Sequence, residues 1–226
     1  MKELALREKT GGEFQIDQIK IFKDLVGNTH YDKCLEVGCG KGFFTYIIAK
    51  NKQINQSYGC DIFEDFQKED IKPFVKKIEY TTMKDETLPY LDNQFDLVFS
   101  MDVIEHVTND VKFFKEHIRV CKPGGKIIIG TPNYNRPTNL ISYIFGQLKF
   151  PKNMGNDTYG GCIHLREYTK QQLLELVNKN SKLIDTSSIV VTPNWFGIMA
   201  LNLGITKLPH FLQNYCQFWF VSFLKK

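Results

Sequence analysis

Apolar residues recur along this chain in two rhythms that take turns. Short apolar runs at Tyr31–Val37, Ser57–Asp61, Lys77–Thr82, Phe95–Ser100, Lys126–Thr131, Lys182–Thr192 and Gln217–Leu224 read as strands. Between them, apolar positions three and four apart mark helices: Ile19, Phe22, Leu25 and Val26; Phe43, Phe44, Ile47 and Ile48; Val111, Phe114, Ile118 and Cys121; Leu173, Leu174, Leu176 and Val177. A further helix over Phe63–Val75 is broken by Pro73. Thr108-Asn109 and the Thr169/Gln172 capping box start helices, while Gly27-Asn28 and Pro123-Gly124 end them. Such alternation predicts an α/β fold, a Rossmann-like doubly wound sheet with helices on both faces. Residues 1–28 form an arm and a packing helix, and residues 29–226 one domain. The rhythm fails over 134–165, where a short helix carrying Leu140, Tyr143, Ile144 and Leu148 precedes an irregular Gly-, Pro- and Asn-rich stretch. A long irregular insertion at a sheet edge predicts a cover over an active site. Pro193 to Asn214 reads as loose amphipathic helices.

Chemistry enters at Cys34-Leu35-Glu36-Val37-Gly38-Cys39-Gly40-Lys41-Gly42. A buried strand ends in a carboxylate, three glycines follow at alternate positions, and a helix begins. Glycines allow a sharp turn and let a ligand approach where a side chain would collide. A dinucleotide fingerprint needs a small residue where Phe43 stands, so the spacing is E-x-G-x-G-x-G instead. Asp61 ends a second strand roughly 20 residues on, where a carboxylate can accept both hydroxyls of a ribose.

Four motifs in order carry a family resemblance: the glycine turn, the strand ending at Asp61, Phe95–Ser100 with Met101-Asp102-Val103-Ile104-Glu105-His106-Val107, and the Pro123-Gly124-Gly125 turn into the next strand. The series resembles class I S-adenosylmethionine (SAM) methyltransferases, of the small-molecule type found in ubiquinone and menaquinone biosynthesis. The resemblance runs from about Tyr31 to Asn133 and more loosely to Val177. It implies a seven-stranded sheet whose last strand inserts antiparallel between the fifth and sixth, and SAM as cofactor with S-adenosylhomocysteine as product. It assigns cofactor contact to Glu36, Gly38, Cys39, Gly40, Gly42, Asp61, Ile62, Asp85 and Met101. The family's adenine-side acid falls at Lys84 here, and Asp85 comes one residue later, so Asp85 or a backbone group reads the adenine.

On the acceptor side, Asp102, Glu105 and His106 stand at the spacing of one helical face. His106 could take a proton from an acceptor hydroxyl, the three could hold a divalent cation, as the resemblance implies for some ubiquinone-type O-methyltransferases, or His106 could simply pack beneath the cofactor. His164 is a second candidate base. Asn133, Tyr143, Tyr159 and Arg166 are candidate acceptor contacts, although the aromatics could form the insertion's own core and Arg166 a surface ion pair. Base-amino methylation would want an Asn/Asp-Pro-Pro run, and cytosine methylation a Pro-Cys pair, where Ser100-Met101-Asp102 stands. O-methylation of a small molecule (a sugar, a quinone precursor or a similar metabolite) fits best, with N- or C-methylation open. The rival readings are an aminopropyl transferase, which lacks its acidic pocket here, and a silent SAM-binding subunit.

With 29 basic and 25 acidic residues, the surplus of +4 gives no concentrated basic face, which argues against nucleic acid. Six cysteines without a C-x-x-C pair fit a reducing compartment, and the charged Met1–Lys9 does not read as a signal peptide, so a cytoplasmic enzyme is expected. The stretch 193–214 could touch a membrane or a lipid-linked acceptor.

Overall fold

A computed structural model describes residues 15–40, 42–62, 78–84, 86–153, 163–194, 197–198, 201–202 and 209–226. In chain order these form α1 (Gln15–Val26), β1 (Tyr31–Val37), α2 (Phe43–Ala49), β2 (Ile54–Asp61), β3 (Ile78–Thr82), β4 (Phe95–Met101), α3 (Asp110–Val120), β5 (Cys121–Pro132) and α4 (Pro137–Ile144). Then come β6 (Lys152–Asn153), β7 (Ile163–His164), α5 (Lys170–Asn178), β8 (Ile184–Pro193), β9 (Gly197–Ile198), β10 (Leu201–Asn202), a 3-10 turn over His210–Tyr215, and β11 (Phe218–Lys225). The helix expected over Phe63–Val75 lies outside the described residues.

Seven strands make one sheet in the order β3-β2-β1-β4-β5-β11-β8. β1 lies between β2 and β4 and is parallel to both. The chain therefore winds outward in opposite directions from the β1/β4 boundary. In doubly wound sheets ligands bind beyond the carboxyl ends of the strands at that reversal. β11 is antiparallel to both β5 and β8, where the resemblance put it.

Side-chain alternation sorts the core into two layers. Leu97, Phe99 and Met101 of β4 face one side with Phe22 and Val26 of α1 and Phe44 and Ile48 of α2. Val98 faces the other side with Phe113, Phe114 and Ile118 of α3 and Leu173, Leu176 and Val177 of α5. β11 serves both layers: Phe218 and Phe220 join the first, and Trp219, Val221 and Phe223 the second. Each is buried, and full burial of a side chain of that size contributes about 1.5–3 kcal/mol.

Local signals held at most element ends. Asn109 caps α3, its side chain accepting the Lys112 N–H at 2.9 Å. Thr169 and Gln172 make the capping box of α5. Two expectations fail. Residues 193–214 hold no amphipathic α-helix among the described residues; β8 runs to Pro193, β9 pairs β10, and a 3-10 turn follows. Asp102, Glu105 and His106 do not share a helical turn either. The chain after β4 is a tight turn, with Asp102 at φ 55 and the His106 N–H donating to Val103 O at 2.9 Å. A left-handed residue cannot sit inside an α-helix, so the i, i+3, i+4 spacing loses its meaning there.

Candidate active site

The glycine turn leaves the carboxyl end of β1. Gly38, Gly40 and Gly42 all take positive φ, at 71, 48 and 79. At Gly38 the need for glycine is doubled, because an added Cβ would also lie 2.3 Å from Val103 Cγ2. The turn is pinned to the neighbouring strand: the Gly38 and Cys39 N–H groups donate to Cys60 O at 2.7 and 3.0 Å. Asp61 follows that carbonyl, and its Oδ2 accepts the Gly40 N–H at 2.7 Å. The acid and the turn, 21 residues apart, are thus one unit. Gly42 is the N-cap residue of α2, so the turn feeds directly into a helix N-terminus.

Glu36 is buried at the end of β1 and accepts the Thr45 hydroxyl from α2. Burial pushes its carboxyl up to about 8, against the pull of the Thr45 bond, with nearby Asp61 adding to the rise. Ile62 stands 55% exposed beside Asp61, an apolar flank to the same crevice. Met101 is buried at the end of β4, over Gly130 of β5, where an added Cβ would meet its sulfur at 2.5 Å. Asp85 lies outside the described residues.

Across the β1/β4 boundary the side chains come from distant segments. Glu105 is fully buried; its Oε2 accepts the Thr131 hydroxyl at 3.0 Å, and its backbone carbonyl takes the Leu165 N–H at 2.9 Å. That last bond brings β7 and the following loop against the turn after β4. His106 and His164 consequently meet edge to face, with ring centroids 4.8 Å apart. His106 Nδ1 lies 2.9 Å from Ile163 O, and His164 Nδ1 lies 2.8 Å from Glu167 Oε1. Burial lowers the basicity of His106, the Ile163 carbonyl opposes that, and His164 adds to it. Burial pushes the Glu105 carboxyl well above the usual carboxylate range, with the Asp102 charge reinforcing the effect.

Glu105, His106 and His164 each offer an atom within 4.8 Å of the others. The sequence had grouped Asp102 with Glu105 and His106; Asp102 is not in the cluster, and His164 takes its place. Ligands on a tetrahedral metal with bonds of 2.0–2.1 Å stand about 3.3 Å apart, so the cluster is wider than a coordination shell.

Three other expected contacts are placed differently. Asn133 is fully buried; its amide donates to Asn214 O at 2.9 Å and Cys216 O at 2.7 Å, and its Oδ1 accepts the Asn135 N–H. It braces the end of β5 rather than meeting an acceptor. Tyr143 is 69% exposed on α4, beside exposed Ile144 and Phe145, so among the described residues it lines neither a pocket nor a small core. Arg166 donates to Thr108 O at 3.1 Å and pairs with Asp110 at 3.3 Å, which ties it to the start of α3. Tyr159 lies outside the described residues.

Glu167 is the residue the sequence reading passed over. It is buried and accepts from Arg136 Nη2 and, at 2.6 Å, from Asn139 Nδ2, besides facing His164. Burial would raise its carboxyl, but the His164 bond, the Arg136 charge and the Asn139 bond bring it below the usual value. A Glu three residues after a candidate histidine was the available signal.

Residues 35–129 match the family model described as a methyltransferase domain. The chain is 30% identical over 142 residues to a ubiquinone biosynthesis O-methyltransferase of Coxiella burnetii, covering 60% of this chain and 59% of that protein. It is 30% identical over 123 residues to wheat (Triticum aestivum) phosphoethanolamine N-methyltransferase, covering 53% of this chain and 24% of the relative. The match thus spans less than two thirds of either relative's length. Among solved structures, a SAM-dependent methyltransferase from Aquifex aeolicus superposes with a TM-score of 0.61 at 15% identity over 97% of both chains. One from Thermotoga maritima does so with 0.62 at 18% identity over 93% of this chain and 89% of that one. The strand order and the glycine turn agree with these likenesses: residues 35–129 carry a methyltransferase domain, and the fold is that of the SAM-dependent methyltransferases.

Proposed function

We propose that this protein transfers a methyl group from SAM to a hydroxyl of a small-molecule acceptor. The observation that carries the reading is one carboxyl edge holding two halves of such a site: the Gly38–Gly42 turn joined to Asp61, and two imidazoles 4.8 Å apart across the β1/β4 boundary. When bound, SAM supplies a methyl carbon already activated by a sulfonium. What the chain must add is alignment, exclusion of water and a place for the acceptor's proton. The turn and Asp61 hold the nucleoside end by backbone approach and ribose hydrogen bonds. The imidazoles stand where a hydroxyl proton would leave. An amine acceptor, as in the wheat relative's name, would make less use of two imidazoles.

Five described cysteines, Cys34, Cys39, Cys60, Cys121 and Cys216, are free and buried, which supports a reducing, cytoplasmic setting. Among the described residues no helix is long and apolar enough to cross a membrane.

Calorimetry with SAM and S-adenosylhomocysteine tests the cofactor half. Wild type should bind both, and Asp61→Ala should weaken binding by about 1–3 kcal/mol through loss of charge-assisted ribose bonds. Unchanged affinity in the variant would remove Asp61 from the site. Transfer of labelled methyl to catechols but not to ethanolamines is the expected acceptor pattern.

A further inference from the structure

Two imidazoles meet at the acceptor side, and their surroundings differ in a way that separates their roles. His106 Nδ1 faces Ile163 O at 2.9 Å. A carbonyl oxygen only accepts, so Nδ1 of His106 carries the hydrogen. His164 Nδ1 faces Glu167 Oε1 at 2.8 Å. Glu167 also receives Arg136 and Asn139, so it is an acceptor throughout and His164 Nδ1 carries the hydrogen too. Both rings therefore keep the lone pair on Nε2. They differ in what lies behind them: a neutral carbonyl for His106, a buried carboxylate for His164. A carbonyl orients a ring. A carboxylate orients it and also stabilises the imidazolium that forms when the ring takes a proton.

We propose that His164 is the general base of the methyl transfer and that Glu167 is its positioning residue, held in turn by Arg136 and Asn139 of the insertion. The inference rests on the hydroxyl-methylation reading above. As the acceptor oxygen bonds to the methyl carbon and the sulfonium becomes a thioether, the hydroxyl proton passes to His164 Nε2. The imidazolium is balanced by Glu167, and the proton then leaves to water. His106 stays neutral and packs edge-on against the base.

The supports of Glu167 give the arrangement a second property. Arg136 is the N-cap residue of α4 and Asn139 lies in its first turn. Asn139 Oδ1 accepts from Lys152 Nζ at 3.0 Å, and Lys152 in β6 is the register partner of His164 in β7. The start of the insertion, its return strand and the base thus meet at one carboxylate.

The test is nitrogen-detected NMR of the histidine rings in the full chain, with Glu167→Gln beside wild type. Arg136, Lys152, Glu105 and His106 lie around His164 from the other packed elements and are unchanged in that variant. We expect neutral His164 in wild type to carry its hydrogen on Nδ1. In Glu167→Gln, kcat for labelled methyl transfer should fall at least about tenfold at unchanged SAM affinity, with little change in the His106 ring signals. A hydrogen on Nε2 of wild-type His164, or an unchanged kcat in the variant, overturns the proposal. The wild-type tautomer needs no variant, so unfolding of Glu167→Gln would leave that decision standing. Failure of wild type to bind SAM by calorimetry would instead undo the methyltransferase reading, a result read separately from the ring spectra.

Discussion

The two halves of the site are built on different plans. On the β1–β2 side nearly everything is backbone: three left-handed glycines, N–H groups turned onto Cys60 O, and one carboxylate hydrogen-bonded to the turn. On the β4–β5 side nearly everything is side chain: Glu105, His106, His164, Glu167, Arg136 and Asn139, drawn from the turn after β4, from β7, from the loop before α5 and from the start of α4. A backbone site fixes a ligand common to many relatives, because its shape depends on φ and not on side-chain identity. A side-chain site can change acceptor by substitution while the sheet stays as it is.

The sharpest way to separate the halves is to remove the base. His164→Ala should lower kcat by about 10²–10⁴-fold while leaving SAM affinity unaltered, and His106→Ala should cost less. Equal losses in the two variants, measured by labelled methyl transfer, would erase the distinction between the rings. The converse break is Gly40→Val, which puts a β-branched side chain at φ 48 in the path of the ligand. Its SAM affinity should fall about a hundredfold or more while the rings' spectra stay as in wild type; retained affinity would show that the turn is only structural.

A smaller effect sharpens the cofactor half. Glu36, held near 8 by burial, is protonated at neutral pH, whereas an exposed glutamate titrates at about 4.3. Its folded value is raised, so its contribution to stability is present below the unfolded value and is lost as pH rises through about 8. If the cationic methionine end of SAM draws out the carboxylate, binding below pH 8 releases a fraction of a proton and binding well above it releases none. Calorimetry in buffers of different ionisation heat measures this directly, and pH-independent proton uptake would contradict it.

The backbone half was legible in the sequence because each of its demands is local. A positive φ asks for glycine at that very position, and Gly38, Gly40 and Gly42 announce three of them. Asp61 could be found at the end of the next apolar run. The capping box at Thr169 and the apolar character of Phe218–Phe223 were readable for the same reason. The side-chain half was legible only in part. His106 and His164 were singled out one by one, yet nothing in their spacing showed that the Leu165 N–H to Glu105 O bond would set the rings against each other. The helical reading of Asp102, Glu105 and His106 failed because Asp102 takes a left-handed conformation that its identity does not require. Asn133 had the right address, at the end of β5, but the sequence could not show that Asn214 and Cys216 would claim its amide. Glu167 went unnoticed because, apart from its place three residues after His164, its importance comes from Arg136 and Asn139, which tertiary packing brings to it.

The place of β11 has a consequence for how the molecule comes into being. It is the last strand of the sheet in chain order, yet it sits between β5 and β8 and pairs with both. While the chain is being synthesised, β5 and β8 wait with open edges and with no direct pairing to each other. Open edges of apolar strands are where chains stick to one another. The molecule is therefore at its most vulnerable just before Phe218–Lys225 leaves the ribosome, and that segment completes the sheet in the manner of a keystone.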